Sequence, residues 1–86
     1  MRFRRLDGFK DDYKKLQPDE QALVDKALEF LAVDPRHPGL HLKKLKVPRE
    51  VWEARASRNL RFTFTWEGDV ITLRAVGHHD EVLHSP

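Results

Sequence analysis

The fold is decided by the stretch Leu60-Arg61-Phe62-Thr63-Phe64-Thr65-Trp66. Large apolar residues alternate in it with arginine or threonine, which is the period of a β-strand that has one buried and one polar face. The same alternation occurs in residues 52–57, and Ser57-Arg58-Asn59 between the two has the composition of a turn. The sequence therefore predicts an antiparallel hairpin whose two strands share one apolar face.

Further strands are predicted on either side of this hairpin. Glu67-Gly68-Asp69 has the composition of a second turn, so Val70 to Val76 is expected to form a third strand. A short edge strand is expected around Phe3. The strictly alternating aromatic residues are predicted to lie in the core rather than to stack on bases, whereas Trp52 fits either environment.

Two helices are predicted before the hairpin. In the first, Phe9, Tyr13 and Leu16 fall on one stripe, and Asp7 is expected to cap it. The second begins at Gln17-Pro18-Asp19-Glu20 and ends at the prolines after Asp34. The predicted fold is a single α+β domain over residues 1–86, with a two-helix hairpin packed on one face of a twisted, mainly antiparallel sheet of three to four strands.

Charge is distributed unevenly along the chain. The formal net charge is only +2, but residues 36–61 contain eight lysines or arginines against two acids, whereas residues 10–34 contain four against seven. A segment this basic attracts phosphate backbones and equally attracts an acidic protein. The alternative is that these charges form an ordinary solvated surface.

Cysteine is absent, which excludes a disulfide framework, a thiolate metal site and a thiol nucleophile. The basic residues near Met1 are followed by no apolar stretch, so we expect neither a signal peptide nor a membrane span, and a cytoplasmic location. The five histidines form no recognised ligand pair, so we expect no metal and no other cofactor.

The strand phases place Arg55 and Arg61 on the polar side of the sheet, away from Trp52 and Phe62, and this side is predicted to be free of helices. With the lysines of the basic segment nearby, this face is a plausible bed for a nucleic-acid strand. The alternative is that Arg55 pairs with Glu53 or Glu67 on a solvated sheet. The lysines of the basic segment near this face are Lys43, Lys44 and Lys46.

The order of these features resembles the RelE/ParE toxin superfamily of bacterial type II toxin-antitoxin systems. The resemblance covers nearly the whole chain and is carried by the helix hairpin, the basic segment ending at Lys46, the Trp-x-x-Arg and Leu-Arg-Phe-Thr-Phe strands, and Gly77-His78-His79-Asp80-Glu81. It implies a metal-independent, ribosome-dependent messenger RNA endoribonuclease that inhibits translation. Its partners are then a cognate antitoxin, the ribosome and messenger RNA.

The resemblance also implies roles for individual residues. Arg61 occupies the place of an arginine that stabilises phosphate charge, and His79 falls where a catalytic arginine or histidine follows the last strand. His78 and Asp80 flank it as in members of the YafQ type. The basic segment matches the region used for RNA binding and catalysis, with Lys43 and Lys44 placing the RNA and Lys46 sharing catalysis. Leu83 replaces a tyrosine common in the family, and His84 is a substitute for it.

Metal-free RNA cleavage needs a base for the 2′-hydroxyl, charge stabilisation at phosphorus and an acid for the leaving oxygen. Histidine serves either proton role near neutral pH, so we expect His79 to be the general acid or base, with His78 as second choice. Arg61 is expected to bind the phosphate oxygens, supported by Arg55 and Arg58. The alternative for the histidines is a solvated turn at a strand end.

Two other functions fit the same sequence. One is an inhibitory binder of the ParE kind, which acts on DNA gyrase and in which the histidines are structural. The other is a non-toxic accessory domain of the same fold, of the sort found beside DNA helicases. Under either of these two functions, replacing His79 is expected to have no effect on RNA cleavage.

Overall fold

The computed structural model describes residues 1–46, 50–79 and 82. Within them, two helices and five strands are formed, and the strands make one sheet of order β1-β5-β4-β3-β2. In chain order the elements are β1 (Arg2–Arg5), α1 (Asp7–Lys15), α2 (Pro18–Val33), a 3-10 turn (Pro38–Leu40), β2 (Lys43–Lys44), β3 (Val51–Arg55), β4 (Leu60–Glu67) and β5 (Val70–His78).

The predicted α+β architecture is confirmed, with a larger sheet than expected. The hairpin of β3 and β4 and the antiparallel pairing of β4 with β5 form as predicted, and β5 continues two residues beyond Val76. Two edge strands complete the sheet. The first strand, around Phe3, runs parallel to β5, while the basic segment supplies a two-residue strand that pairs with β3. The sheet is therefore mixed and has five described strands instead of three to four.

The second helix begins with a side-chain cap, whereas the first does not. The second helix has a capping box, in which the Gln17 side chain accepts from the Glu20 backbone and the Glu20 carboxylate accepts from the Gln17 N–H at 3.0 Å. The first helix differs from the prediction, because its N-cap is Leu6 and Asp7 is its first helical residue. There Asp7 acts through its favourable interaction with the helix dipole. Neither helix of the described chain is long and apolar enough to cross a bilayer.

The core lies between the helices and one face of the sheet. The buried residues of this cluster are Phe9, Val24, Ala27, Leu28, Leu31, Leu40, Ala54, Leu60, Phe62, Phe64, Ile71, Leu73 and Val76. Phe62 and Phe64 are fully buried, as their alternation predicts, whereas Trp52 and Trp66 are only partly buried at the edge of the cluster. On α2, Leu23 and Phe30 stay exposed, so only part of its apolar residues belong to the core.

A β-bulge interrupts the pairing of β4 with β5. Thr63 is opposite Ala75 and Phe64 is opposite Leu73, so Arg74 is an extra residue on β5. Beyond the bulge, β5 has passed the end of β1, and the N–H of Val76 donates instead to the Asp12 carboxylate on α1 at 3.2 Å. The bulge reverses which residues of β5 face the helices, and this decides where the strand presents its last side chains.

Candidate nucleic-acid interface

The face of the sheet that lies away from the two helices carries the predicted RNA-binding residues. Residues directly opposite each other on paired strands share a face, and two such rows cross the sheet here. One row is Lys43, Glu53, Thr63 and Ala75, and the next is Arg55, Arg61 and Gly77. We call these residues the open face because they lie away from the two helices. Lys43 is exposed and Arg55 is half-buried, whereas the others are buried. The prediction that Arg55 and Arg61 share one side of the sheet is confirmed, since the two are direct partners.

Arg61 is the most constrained cation of the open face. It is only 7% exposed, and its Nη1 donates to the carbonyl oxygens of Ser57, at 2.9 Å, and Arg58. Its Nε lies 3.7 Å from Oε1 of Glu53, which is similarly buried. The guanidinium therefore clamps the turn between β3 and β4. The predicted phosphate-binding role of Arg61 must be combined with this structural role, which the sequence did not indicate.

The electrostatics of the open face follow from this burial. Desolvation lowers the pKa of Arg61, the neighbouring charge of Arg55 lowers it further, and Glu53 opposes both effects. Arginine nevertheless remains charged at any physiological pH. The sequence predicted Glu53 only as an alternative partner of Arg55, whereas its contact in the structure is with Arg61. The signal for this contact is the diagonal position of Glu53 relative to Arg61 across the hairpin.

His79 lies beside the same turn. Its backbone N–H donates to the carbonyl oxygen of Asn59 at 2.9 Å, immediately after the pairing of Leu60 with His78 ends the sheet. The His79 residue is exposed. The structure therefore brings four predicted residues to one end of the sheet, and we call them the turn cluster: Arg55, Arg58, Arg61 and His79. Arg58 is exposed and Arg55 is half-buried, so both are accessible cations.

His78 belongs to the opposite side of the sheet. Its Nε2 lies 2.9 Å from Oε2 of Glu20 on α2, so its ring is held against the helices. His78, the second choice for the general acid or base, lies on the other side of the sheet from the turn cluster, because the bulge at Arg74 turns it away from the open face. Among the two histidines, His79 is the one left to serve the turn cluster.

The lysines of the basic segment separate in a similar way. Lys43 is opposite Glu53 and so lies on the open face, whereas Lys44 is opposite Trp52, with its Nζ 5.6 Å from the ring centre of that indole. Lys46 follows Leu45, whose N–H donates to the Val51 carbonyl at 2.8 Å.

The length of β3 separates Lys46 from the turn cluster. Leu45 binds at the Val51 end of β3, and Arg55 lies at the other end, about 13 Å away at the usual rise per residue. His79 lies beyond Arg55, beside Asn59. The structure therefore does not bring Lys46 together with His79. Asp80 and His84 fall outside the described residues.

The residues of the turn cluster can bind an anion and transfer a proton. Within residues 1–46, 50–79 and 82, no group of three or more histidine, aspartate or glutamate side chains converges as metal ligands do. The turn cluster instead places an exposed histidine beside the turn that carries Arg58, with Arg55 directly opposite Arg61, whose guanidinium is fixed. Such a set can bind a phosphodiester and exchange protons with it.

Comparison with known proteins gives no match to any family model and none to any curated protein. Solved structures do match, over almost the full length of both chains. YafQ from Escherichia coli has a TM-score of 0.81 at 11% identity, covering 95% of this chain and 98% of its own. The RelE toxin in the RelB-RelE complex from Methanococcus jannaschii has a TM-score of 0.70 at 21% identity, covering 96% and 99%. YoeB in the YoeB-YefM complex from Staphylococcus aureus has a TM-score of 0.76 at 14% identity, covering 92% and 97%.

The chain has the fold of the RelE, YafQ and YoeB toxins. The resemblance inferred from sequence is thereby confirmed at the level of architecture. Since fold does not by itself determine activity, the RelE-like fold supplies the scaffold, and the function has to be argued from the turn cluster and the open face.

Proposed function

We propose that this protein is the toxin of a type II toxin-antitoxin system and that it acts as a metal-independent, ribosome-dependent messenger RNA endoribonuclease. The observation that carries this proposal is the position of His79, which lies exposed beside a turn that Arg61 clamps and on which Arg58 is presented. The RelE-like fold supports the proposal because YafQ, RelE and YoeB share it.

The mechanism divides the work among the residues of the turn cluster. Arg58 and Arg55 contact the phosphate oxygens, because they are the accessible cations of the cluster. Arg61 fixes the turn that presents Arg58 and adds its own positive charge to the site. His79 transfers a proton, either from the 2′-hydroxyl that attacks phosphorus or to the 5′-oxygen that leaves.

The remaining cations position the RNA. Lys43 continues the open face toward the edge of the sheet and attracts the RNA backbone at a distance from the scissile phosphate. Lys46 is exposed near the far end of β3 and serves the same purpose. We expect the natural substrate to be messenger RNA on the translating ribosome, and hence a cytoplasmic site of action.

A cognate antitoxin is the second proposed partner. The solved neighbours include the RelB-RelE and YoeB-YefM complexes, in which a toxin of this fold is bound by its antitoxin. An acidic segment of the antitoxin that covers the open face neutralises the turn cluster and blocks RNA.

The proposal is tested by inducing the protein in cells and mapping the 5′ ends of messenger RNA. The test variant is His79→Ala, and the matched control is His78→Ala, which removes the neighbouring imidazole from the opposite side of the sheet. We expect cuts within translated codons for the original protein and for His78→Ala, and none for His79→Ala.

Two other outcomes contradict the proposal. Growth arrest without cuts assigns the protein to inhibition of a protein target such as gyrase. Neither arrest nor cuts assigns it to the accessory domains.

A further inference from the structure

A cleft lies on the helix side of the sheet, away from the turn cluster. Its volume is about 330 Å³, within the range of small-molecule sites. One wall is the loop over residues 36–42, which contains the 3-10 turn, and the other wall is formed by two half-buried indoles, Trp52 and Trp66. Their rings pack edge to face, with centroids 5.8 Å apart.

The electrostatics of the cleft favour an anionic ligand. Arg36 lines it, and Lys44 is held near it over the Trp52 ring. Among the described residues that line the cleft, none is acidic. The nearest acid to Lys44 is Glu50 at 3.9 Å, and because both side chains are exposed, this ion pair contributes little and leaves Lys44 available.

The loop wall is held in a defined conformation. The ring of His37 stacks on Phe30, with centroids 4.5 Å apart and planes within 7°. Its Nδ1 accepts from the N–H of Gly39 at 3.1 Å, which leaves Nε2 as the protonated nitrogen of the neutral ring. His41, which also lines the cleft, has a left-handed backbone with φ 46°. Such conformations are unfavourable for a residue with a Cβ and concentrate at functional sites.

The edge strand β2 connects this cleft to the open face. Successive residues of a strand point to opposite faces, so Lys43 faces the turn-cluster side while Lys44 faces the cleft. A phosphate backbone that crosses β2 is therefore met by a cation on each side of the sheet edge. Indoles stack on any base, and a neighbouring arginine or lysine binds the adjoining phosphate.

From these features we infer that the cleft between residues 36–42 and the two indoles binds a nucleotide of single-stranded RNA. One base stacks on an indole of the cleft, and its phosphate is bound by Arg36 and Lys44. This inference rests on the proposed function for its choice of RNA, and it assigns to the protein a second RNA contact beyond the turn cluster.

The chain offers a direct probe, because its only two tryptophans both line the cleft. Tryptophan fluorescence of the whole protein, excited at a wavelength that Tyr13 does not absorb, therefore reports this cleft. The titration uses the His79→Ala variant with a short single-stranded RNA, and an acidic peptide of equal length and charge is the comparison ligand. We expect RNA to quench the fluorescence and the peptide to leave it unchanged.

The charge variants decide whether the quenching arises at the proposed contacts. Arg36→Glu is expected to weaken RNA binding about tenfold and to reduce its salt dependence by about one phosphate contact. The matched control is Arg2→Glu, an equal charge reversal at the opposite edge of the sheet, where β1 lies farthest from β2. It is expected to change the affinity less than about twofold.

Absence of quenching by RNA overturns the inference, as does equal weakening by the two charge reversals. Quenching by the acidic peptide alone also overturns it and assigns the cleft to a protein partner. Ribosome-dependent cleavage is measured separately with the original chain. Cleavage without quenching shows that the cleft does not bind RNA and leaves the proposed function intact. Quenching by RNA without cleavage supports RNA binding in the cleft and contradicts the proposed function.

Discussion

Nε2 of His78 lies 2.9 Å from Oε2 of Glu20, a contact that joins the end of β5 to the first turn of α2. Glu20 uses its other carboxylate oxygen to accept from the Gln17 N–H. One carboxylate thus caps a helix and binds the sheet. The neighbouring His79 is exposed at the turn cluster, so two adjacent histidines of the chain lie on different sides of the sheet.

Replacing Glu20 by alanine is expected to reduce the free energy of unfolding by about 1–2 kcal/mol, because both of its hydrogen bonds are lost. Asp19→Ala, which removes an exposed acid from the same turn, is the control and should cost about 0.5 kcal/mol. Urea denaturation of both variants measures the difference.

The Glu20 and His78 substitutions are also expected to be non-additive by at least about 0.5 kcal/mol in a double-mutant cycle. Additive effects of the two substitutions would show that the 2.9 Å contact contributes no stability.

Arg61→Ala is expected to destabilise the protein by about 3 kcal/mol. The substitution removes both hydrogen bonds to the turn and leaves the Glu53 carboxylate buried without its partner. Arg58→Ala deletes an exposed cation from the same turn and should change stability by no more than about 0.5 kcal/mol. Chemical unfolding of the two alanine variants tests this contrast, and equal stabilities would contradict the clamp role of Arg61.

Arg58, which is expected to contribute little to stability, is expected to contribute strongly to cleavage activity. Arg58→Ala should reduce messenger RNA cleavage about tenfold or more while the fold is retained, because Arg58 is an accessible phosphate ligand in the proposed mechanism. Arg58→Lys, which keeps the charge without the bidentate geometry, should recover part of the rate. A rate unchanged in Arg58→Ala would remove this residue from the site.

Tyr13 provides a prediction about pH. Its hydroxyl donates to Oδ1 of Asp25 at 2.8 Å, and this hydrogen bond, followed by burial and the negative charge of Asp25, raises the pKa of Tyr13 above its ordinary value of about 10. The folded protein therefore holds this proton more tightly than the unfolded chain does. The contribution to stability is complete below about pH 10 and is lost as pH rises through the folded pKa.

Tyr13 is the only tyrosine of the chain, so the ultraviolet absorbance of tyrosinate follows this group alone. Titration should show a pKa above that of free tyrosine, and Asp25→Asn should bring it down. If the two proteins titrate together, the hydrogen bond is not the cause of the shift.

Local patterns were sufficient to predict the central hairpin and the helix pair. The alternation in Leu60 to Trp66 determines the strand and its faces, and Gln17 to Glu20 carry the chemistry that begins α2. The shared face of Arg55 and Arg61 followed from counting through the turn. These features depend on neighbours within a few residues, which the sequence displays directly.

The features that sequence reasoning missed depend on distant contacts. The alternation of Ile71 and Leu73 places His78 on the polar face, and the extra residue Arg74 moves it to the helix side. No local pattern marks that bulge, because it is a property of the register between β5 and β4, which are paired across the sheet. The two-residue strand at Lys43 was missed for a similar reason, since it owes its conformation to β3.

The parallel pairing of β1 with β5 has a consequence for the order in which the chain folds. Arg2 is opposite Val70, and Arg5 is opposite Leu73. The strand β1 is synthesised first, but it cannot pair until β5 has been synthesised. Until β5 is available, β1 has no strand to pair with, and Phe9 of α1 has no Leu73 or Val76 with which to form the core. A ribosome that is still making this chain therefore holds an unfinished protein, and the turn cluster is assembled only once His79 has been added beside Asn59.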